Sequence, residues 1–338
     1  MTYHAGRRLL LSAAPLVISV IALAAIAEAA SPVTVADTRV FPESISVTSD
    51  GTLLIAGSEK GIIYKASPGA AAAQPWVSRE QAGFEGFLLG IYADESHNVF
   101  YVCSDVIGPP RQAAFTSFDL KTGAKKATYR FPDGGLCNDF ITAADGTVYA
   151  TDTELGRIIR LKPGATAPDV WASDPGLVGI DGIAFAGGKL YFNNVRKNLL
   201  QRIEINADGS SGAVTTLQLS AELSGPDGMR VGPGNVLLIT ENRTGKLTQA
   251  KLEGDKAVLT TIKDGFGQLT AIGVVGNIAW VAESKFALRN KTNNKDPGPW
   301  GLCRLRCRPS LGIPTLAHFA SLKRSGCGSL ETKGGHDD

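Results

Sequence analysis

One plan of residues recurs along this chain, and an internal repeat constrains a fold more tightly than any single local motif. Four copies align by eye. They are ESISVTSDGTLLIAGSEKGIIYKA from Glu43, NDFITAADGTVYATDTELGRIIRLKPG from Asn138, DGIAFAGGKLYFNNVRKNLLQRIEI from Asp181 and DGMRVGPGNVLLITENRTGKLTQAKL from Asp227. In each, a polar residue opens a short apolar run. A turn follows about seven residues on, at Asp50-Gly51, Asp145-Gly146, Gly187-Gly188 and Pro233-Gly234. A second apolar run, a second turn near Gly61, Gly156, Asn198 and Gly245, and a third run complete the unit. Gly and Asp-Gly between β-rich runs are hairpin chemistry, so each unit is a meander of strands.

Two weaker copies, Leu88 to Gly123 and Leu269 to Phe286, fill the gaps and bring the number to six. Units of roughly 40 to 50 residues, with about four strands each, predict an all-β, six-bladed β-propeller with four-stranded blades around a central channel. The outer strands are the least regular, as in QPWVS (Gln74 to Ser78) and DVWAS (Asp169 to Ser173). PVTVADTRV, ahead of the first unit, is expected to supply the outer strand of the last blade and so remove a sheet edge. The 338 residues would ordinarily suggest two domains, but closed all-β folds run long as one. No long amphipathic helix interrupts the strands, which argues against parallel βαβ units.

The first thirty residues stand apart. HAGRR (His4 to Arg8) precedes an almost wholly apolar run from Leu9 to Ala25, and AEAAS offers a small-residue cleavage pattern. This predicts a signal peptide over 1–30 and a periplasmic or secreted protein, the alternative being an uncut anchor. No stable membrane span is expected after cleavage. A net charge of +2, with no basic stripe, gives no reason to expect nucleic acid as a partner. A small-molecule substrate is the expected partner; the sequence leaves oligomeric state open. Five cysteines are too few for a disulfide framework, so the fold must bury an apolar core. Pairing of Cys103 with Cys137 stays open.

The inner strand of a propeller blade lines the channel, so its opening residue lies at one mouth. Those openers are Glu43, Asn138, Asp181 and Asp227, with Leu88 or Leu89 and Leu269 or Thr270 in the weaker copies. Three carboxylates converging on one axis repel one another unless a cation neutralises them. Carboxylates and an amide make an all-oxygen donor set suited to a hard cation, Ca2+ first and Mg2+ or another divalent cation second. The four histidines, His4, His97, His318 and His336, are not placed for zinc. The competing reading is that Asp and Asn at strand starts satisfy turn backbone groups. About fourteen residues after the openers the hairpin returns to the same mouth, placing Asp152, Asn194, Glu241 and Glu283 in a second ring. That ring is expected either to orient ligands and substrate or to be solvated strand ends.

The phrases FPESI, CNDF, IDGIAF and PDGMRV, in this order and phase, resemble the regucalcin-like family of gluconolactonases and luciferin-regenerating proteins, within the calcium-dependent phosphotriesterase superfamily. The resemblance covers residues 35 to 300. It implies metal ligation by Glu43, Asn138, Asp181 and Asp227, with Asp227 as base or nucleophile in hydrolysis of a lactone or related ester. Two departures bear on substrate: Asp181 stands where lactonases more often carry Asn, and Leu136 where sugar-lactone members carry Arg. PESI also resembles strictosidine synthase-like propellers, which implies a metal-free alternative with Glu283 as its acidic residue. A non-catalytic exported propeller that binds a ligand or a protein is the other alternative. The propeller is expected over 31–302. After KDPGPW the segment 303–338 loses strand alternation and is rich in Cys, Arg, Gly and Ser, which predicts a disordered or frame-shifted tail.

Overall fold

A computed structural model of the chain describes residue 1, residues 32–109, 111–289, 298 and 300–307. The signal segment and residues 308–338 lie outside the described residues. Four-stranded antiparallel meanders follow one another in sequence order, each strand hydrogen-bonded to the next. The inner strands are Pro42–Val47, Phe87–Asp94, Cys137–Thr142, Ile180–Ala186, Pro226–Gly232 and Leu269–Val275. The second strands are Leu53–Gly57, Val99–Val106, Val148–Asp152, Lys189–Asn194, Val236–Glu241 and Ile278–Glu283. This is the six-bladed β-propeller that the repeat predicts.

Period-2 alternation explains how the blades pack. In the second strand of blade 1, Leu53 and Ile55 face blade 6, while Leu54 and Ala56 face blade 2. Each interface between neighbouring blades holds its own apolar cluster, and both faces of each sheet are therefore buried. The interface of blades 1 and 2 stacks Phe100 on Phe118, ring centroids 4.9 Å apart, beneath Trp76.

The ring closes as the sequence predicts. Val33–Val35 pairs antiparallel with Gly301–Arg306, the third strand of blade 6, and parallel with Ala72–Val77, the outer strand of blade 1. The expected tail boundary needs correction. Cys303 to Arg306 are not tail: they pair residue by residue with the second strand of blade 6, from Val281↔Cys303 to Ile278↔Arg306. Their alternation was obscured because Arg304 and Arg306 are exposed although they share a face with the buried Leu302, while Cys303 and Leu305 on the other face pack between blades 5 and 6. The propeller thus reaches at least Cys307, whose N–H donates to the Asn277 carbonyl at 2.7 Å.

Cys103 and Cys137 form a disulfide, Cα–Cα 5.4 Å, joining the second strand of blade 2 to the inner strand of blade 3 one residue before Asn138. Among the described residues no helix is long and apolar enough to cross a membrane.

Candidate functional site

Every inner strand carries an irregularity at the same place. The register shifts at Glu43, Leu89-Gly90, Asn138-Asp139, Asp181-Gly182, Asp227-Gly228 and Thr270. A bulge lets two successive residues leave the ladder and re-aims their side chains. The first, Glu43, Asn138, Asp181, Asp227 or Thr270, lines the channel pocket, while its blade 2 counterpart Leu89 is buried in the apolar cluster with blade 3. The second meets the next blade. Ser44 Oγ accepts from Ile91 N–H at 3.1 Å, and Asp139 Oδ2 from Ile183 N–H at 3.2 Å. In blades 2, 4 and 5 that second position is glycine because the neighbour's backbone is too close for anything larger. A Cβ on Gly90 would lie 2.0 Å from the Asn138 carbonyl oxygen, and one on Gly182 would lie 2.3 Å from that of Asp227.

Glu43, Asn138, Asp181 and Asp227 meet in one pocket on the axis, together with Ser44, Asp139, Arg230 and Thr270. Its free volume, about 10 Å³, is of the order that seats one water or ion. Asn138 Nδ2 donates to Asp181 Oδ2 and to Thr153 Oγ1, each at 3.0 Å. Asn242 Nδ2 donates to Asp227 Oδ2 at 3.2 Å. Glu43 Oε2 is buried with no hydrogen-bond partner. Burial pushes the Glu43 carboxyl well above its ordinary range, and the charges of Asp181, Asp139 and Asp105 push it further. Asp181 and Asp227 are raised the same way, by burial first and then by Asp227 and Glu43 respectively. Without a cation these groups hold protons to shield one another.

The donor chemistry fits a hard divalent cation: three carboxylates, an amide and one acceptor oxygen with nothing to accept from. The spacing is looser than a closed coordination shell. Among the described residues no three His, Cys, Asp or Glu groups are drawn together tightly enough to hold an ion. Asn138 adds an amide oxygen beside the three carboxylates, and every one of these donors is a hard oxygen.

The expected second ring does not reach the channel. Asp152 accepts from Leu136, Glu154 and Leu155 N–H and from the Arg157 guanidinium, whose Nε lies 2.8 Å away. Asn194 accepts from Arg196 and Lys197 N–H. Glu241 accepts from Ser224 N–H, and Glu283 from Gly267 N–H. These four residues pin the connections between strands. Their neighbours one position on, on the opposite side of the strand, point inward instead, among them Thr153 and Asn242. Two further groups were missed. Asp139 and Arg230 form a bidentate ion pair across the channel, with Nη1–Oδ2 2.6 Å and Nη2–Oδ1 2.8 Å. At the mouth, Arg289 lies over the rings of Phe41 and Phe286, 5.1 and 4.5 Å from their centroids, and donates to Ser58 Oγ.

Such an axis, with polar side chains presented on bulges, defines the chain as a six-bladed propeller with a channel site. Among solved structures it superposes on a gluconolactonase from Xanthomonas campestris at 16% identity, covering 80% of this chain and 87% of that one, TM-score 0.57. A calcium-binding protein, regucalcin, from Agrobacterium tumefaciens gives 14% identity, 81% and 93% coverage and TM-score 0.58. A PQQ-bound aldose sugar dehydrogenase from Streptomyces coelicolor gives 16%, 82% and 98%, and 0.56. At these identities the shared property is the fold, which hosts more than one chemistry. No family model and no curated protein matches the sequence.

Proposed function

We propose that the protein is a divalent-cation-dependent hydrolase of a lactone or related ester, acting in the propeller channel. The observation that carries this reading is the buried, partnerless Glu43 Oε2 beside Asn138, Asp181 and Asp227 in a pocket with room for one ion. Glu43, Asn138, Asp181 and Asp227 would hold the cation, calcium by preference, since all donors are hard oxygens. The cation would polarise the scissile carbonyl and stabilise the charge that develops on its oxygen. Asp227 is the base or nucleophile. Asn242 donates to its Oδ2 and orients the carboxylate that would take a proton from water or attack. The site's relatives in fold include a gluconolactonase and a calcium-binding regucalcin, which agrees with this chemistry.

One observation favours a second reading, a propeller that binds without turnover. The space on the axis is sized for an ion rather than for a substrate, so a substrate would have to sit above it, in the mouth. A panel of lactones and aryl esters assayed with and without calcium separates the two. Hydrolysis that needs the cation and falls about 10²- to 10⁴-fold in Asp227→Ala supports the enzyme. No turnover across the panel, with calcium still bound, supports the binding protein.

A further inference from the structure

Arg230 lies three residues after Asp227 on the inner strand of blade 5, and its guanidinium crosses the axis to blade 3. Besides its two bonds to Asp139, Nη1 donates to the Met229 carbonyl at 2.7 Å. Asp139 Oδ2 also accepts from Ile183 N–H of blade 4. One ion pair thus touches three inner strands, each beside a candidate ligand. Asp139 follows Asn138, Ile183 is two residues beyond Asp181, and Arg230 is three beyond Asp227. Both side chains are mostly enclosed, 12% and 7% exposed, and Arg230 also lies over the Tyr92 ring of blade 2 at 5.5 Å.

We propose that the Arg230–Asp139 pair is a positioning device: it locks the bulges of blades 3, 4 and 5 at a fixed separation, and so sets how tightly the channel binds a divalent cation and how well it prefers calcium to magnesium. The proposal rests on the channel being a cation site. The fork of a guanidinium on a carboxylate fixes direction as well as distance, which a point charge does not. Calcium and magnesium differ in the cavity they need, so separation of the ligand-bearing strands is what discriminates between them. Groups behind metal ligands commonly change affinity 10- to 100-fold when altered.

Position and charge predict different outcomes, which makes the test decisive. Calcium and magnesium are titrated calorimetrically into the metal-free full chain, wild type and variants, with circular dichroism to verify folding. Arg230→Lys keeps the charge and loses the fork; it is expected to bind calcium about tenfold more weakly, with magnesium less affected. The double variant Asp139→Asn/Arg230→Met removes both charges and leaves the local net charge unchanged. It is expected to weaken calcium binding to a similar extent, and it serves as the test should Arg230→Lys fail to fold. Wild-type affinity in either folded variant overturns the proposal. So does a tighter Arg230→Met with a weaker Asp139→Asn, the signature of through-space charge alone. A wild-type chain that binds neither ion overturns the cation site itself, and that result is distinguishable because it needs no variant.

Discussion

Glu43, Asp181 and Asp227 share a predicament: each is buried, and each sits in the field of another's charge. All three are raised in the folded chain above their ordinary values near 4. At these three sites the folded, metal-free chain therefore holds more protons than the unfolded one. Their contribution to stability is fully present below the ordinary carboxylate range and is lost as pH rises through the raised values. Asp37, Asp94 and Asp169 are lowered and act in the opposite sense, but their contribution is complete above the ordinary carboxylate range. Thermal melts of the metal-free protein should therefore show Tm declining from about pH 5 towards neutrality, and calcium should reverse the decline. Glu43→Gln removes one of the repelling charges together with one donor. It should flatten the pH dependence of the metal-free Tm and shrink the calcium-induced rise. An unchanged calcium response in Glu43→Gln would remove Glu43 from the site.

The inner strand and its bulge are the working element. A bulge spends two residues where a regular strand would spend one, and the chain fills the pair with a channel residue followed by a small or bonded one. Gly182 shows why the second position is restrictive: its missing Cβ is the space occupied by the Asp227 carbonyl. Gly182→Ala should cost about 1–3 kcal/mol in urea unfolding, because strand and neighbour must separate. It should also weaken cation binding more than an alanine at solvent-facing Gly164, which has nothing nearby. The openers were legible in the sequence because the repeat sets their phase, and the blade plan because turns and apolar runs are local signals. The second ring was misplaced by one residue. Hairpin counting gives the height of Asp152 and Glu241 along the strand, but a shift of one position turns the side chain to the other face. The Arg230–Asp139 pair was illegible because 91 residues separate its members and only the closed ring brings them together. The Cys103–Cys137 bridge likewise depends on how blades 2 and 3 meet.

At the scale of the whole molecule, one three-residue strand supplies the sheet hydrogen bonds that close the ring. Val33–Val35 holds blade 6 to blade 1, and Val33 and Val35 are both buried in the cluster between them. A chain that begins after Ala36 should lose roughly 1.5–3 kcal/mol for each valine and expose two strand edges. Urea denaturation and size-exclusion chromatography together should reveal lower stability and concentration-dependent association. A monomeric truncated chain of unchanged stability would show that the ring closes without its clasp.

That clasp also has a history in time. Thr34 pairs with Gly301, so the first strand of the propeller to be made waits for almost the last. At ribosomal speeds of about 5–20 residues per second the wait is on the order of tens of seconds. Throughout it, Val33–Val35 can pair only with Ala72–Val77 of blade 1, and its other edge stays open. Whatever accompanies this nascent chain, a chaperone or an export factor, must therefore keep that open apolar edge from finding the wrong partner.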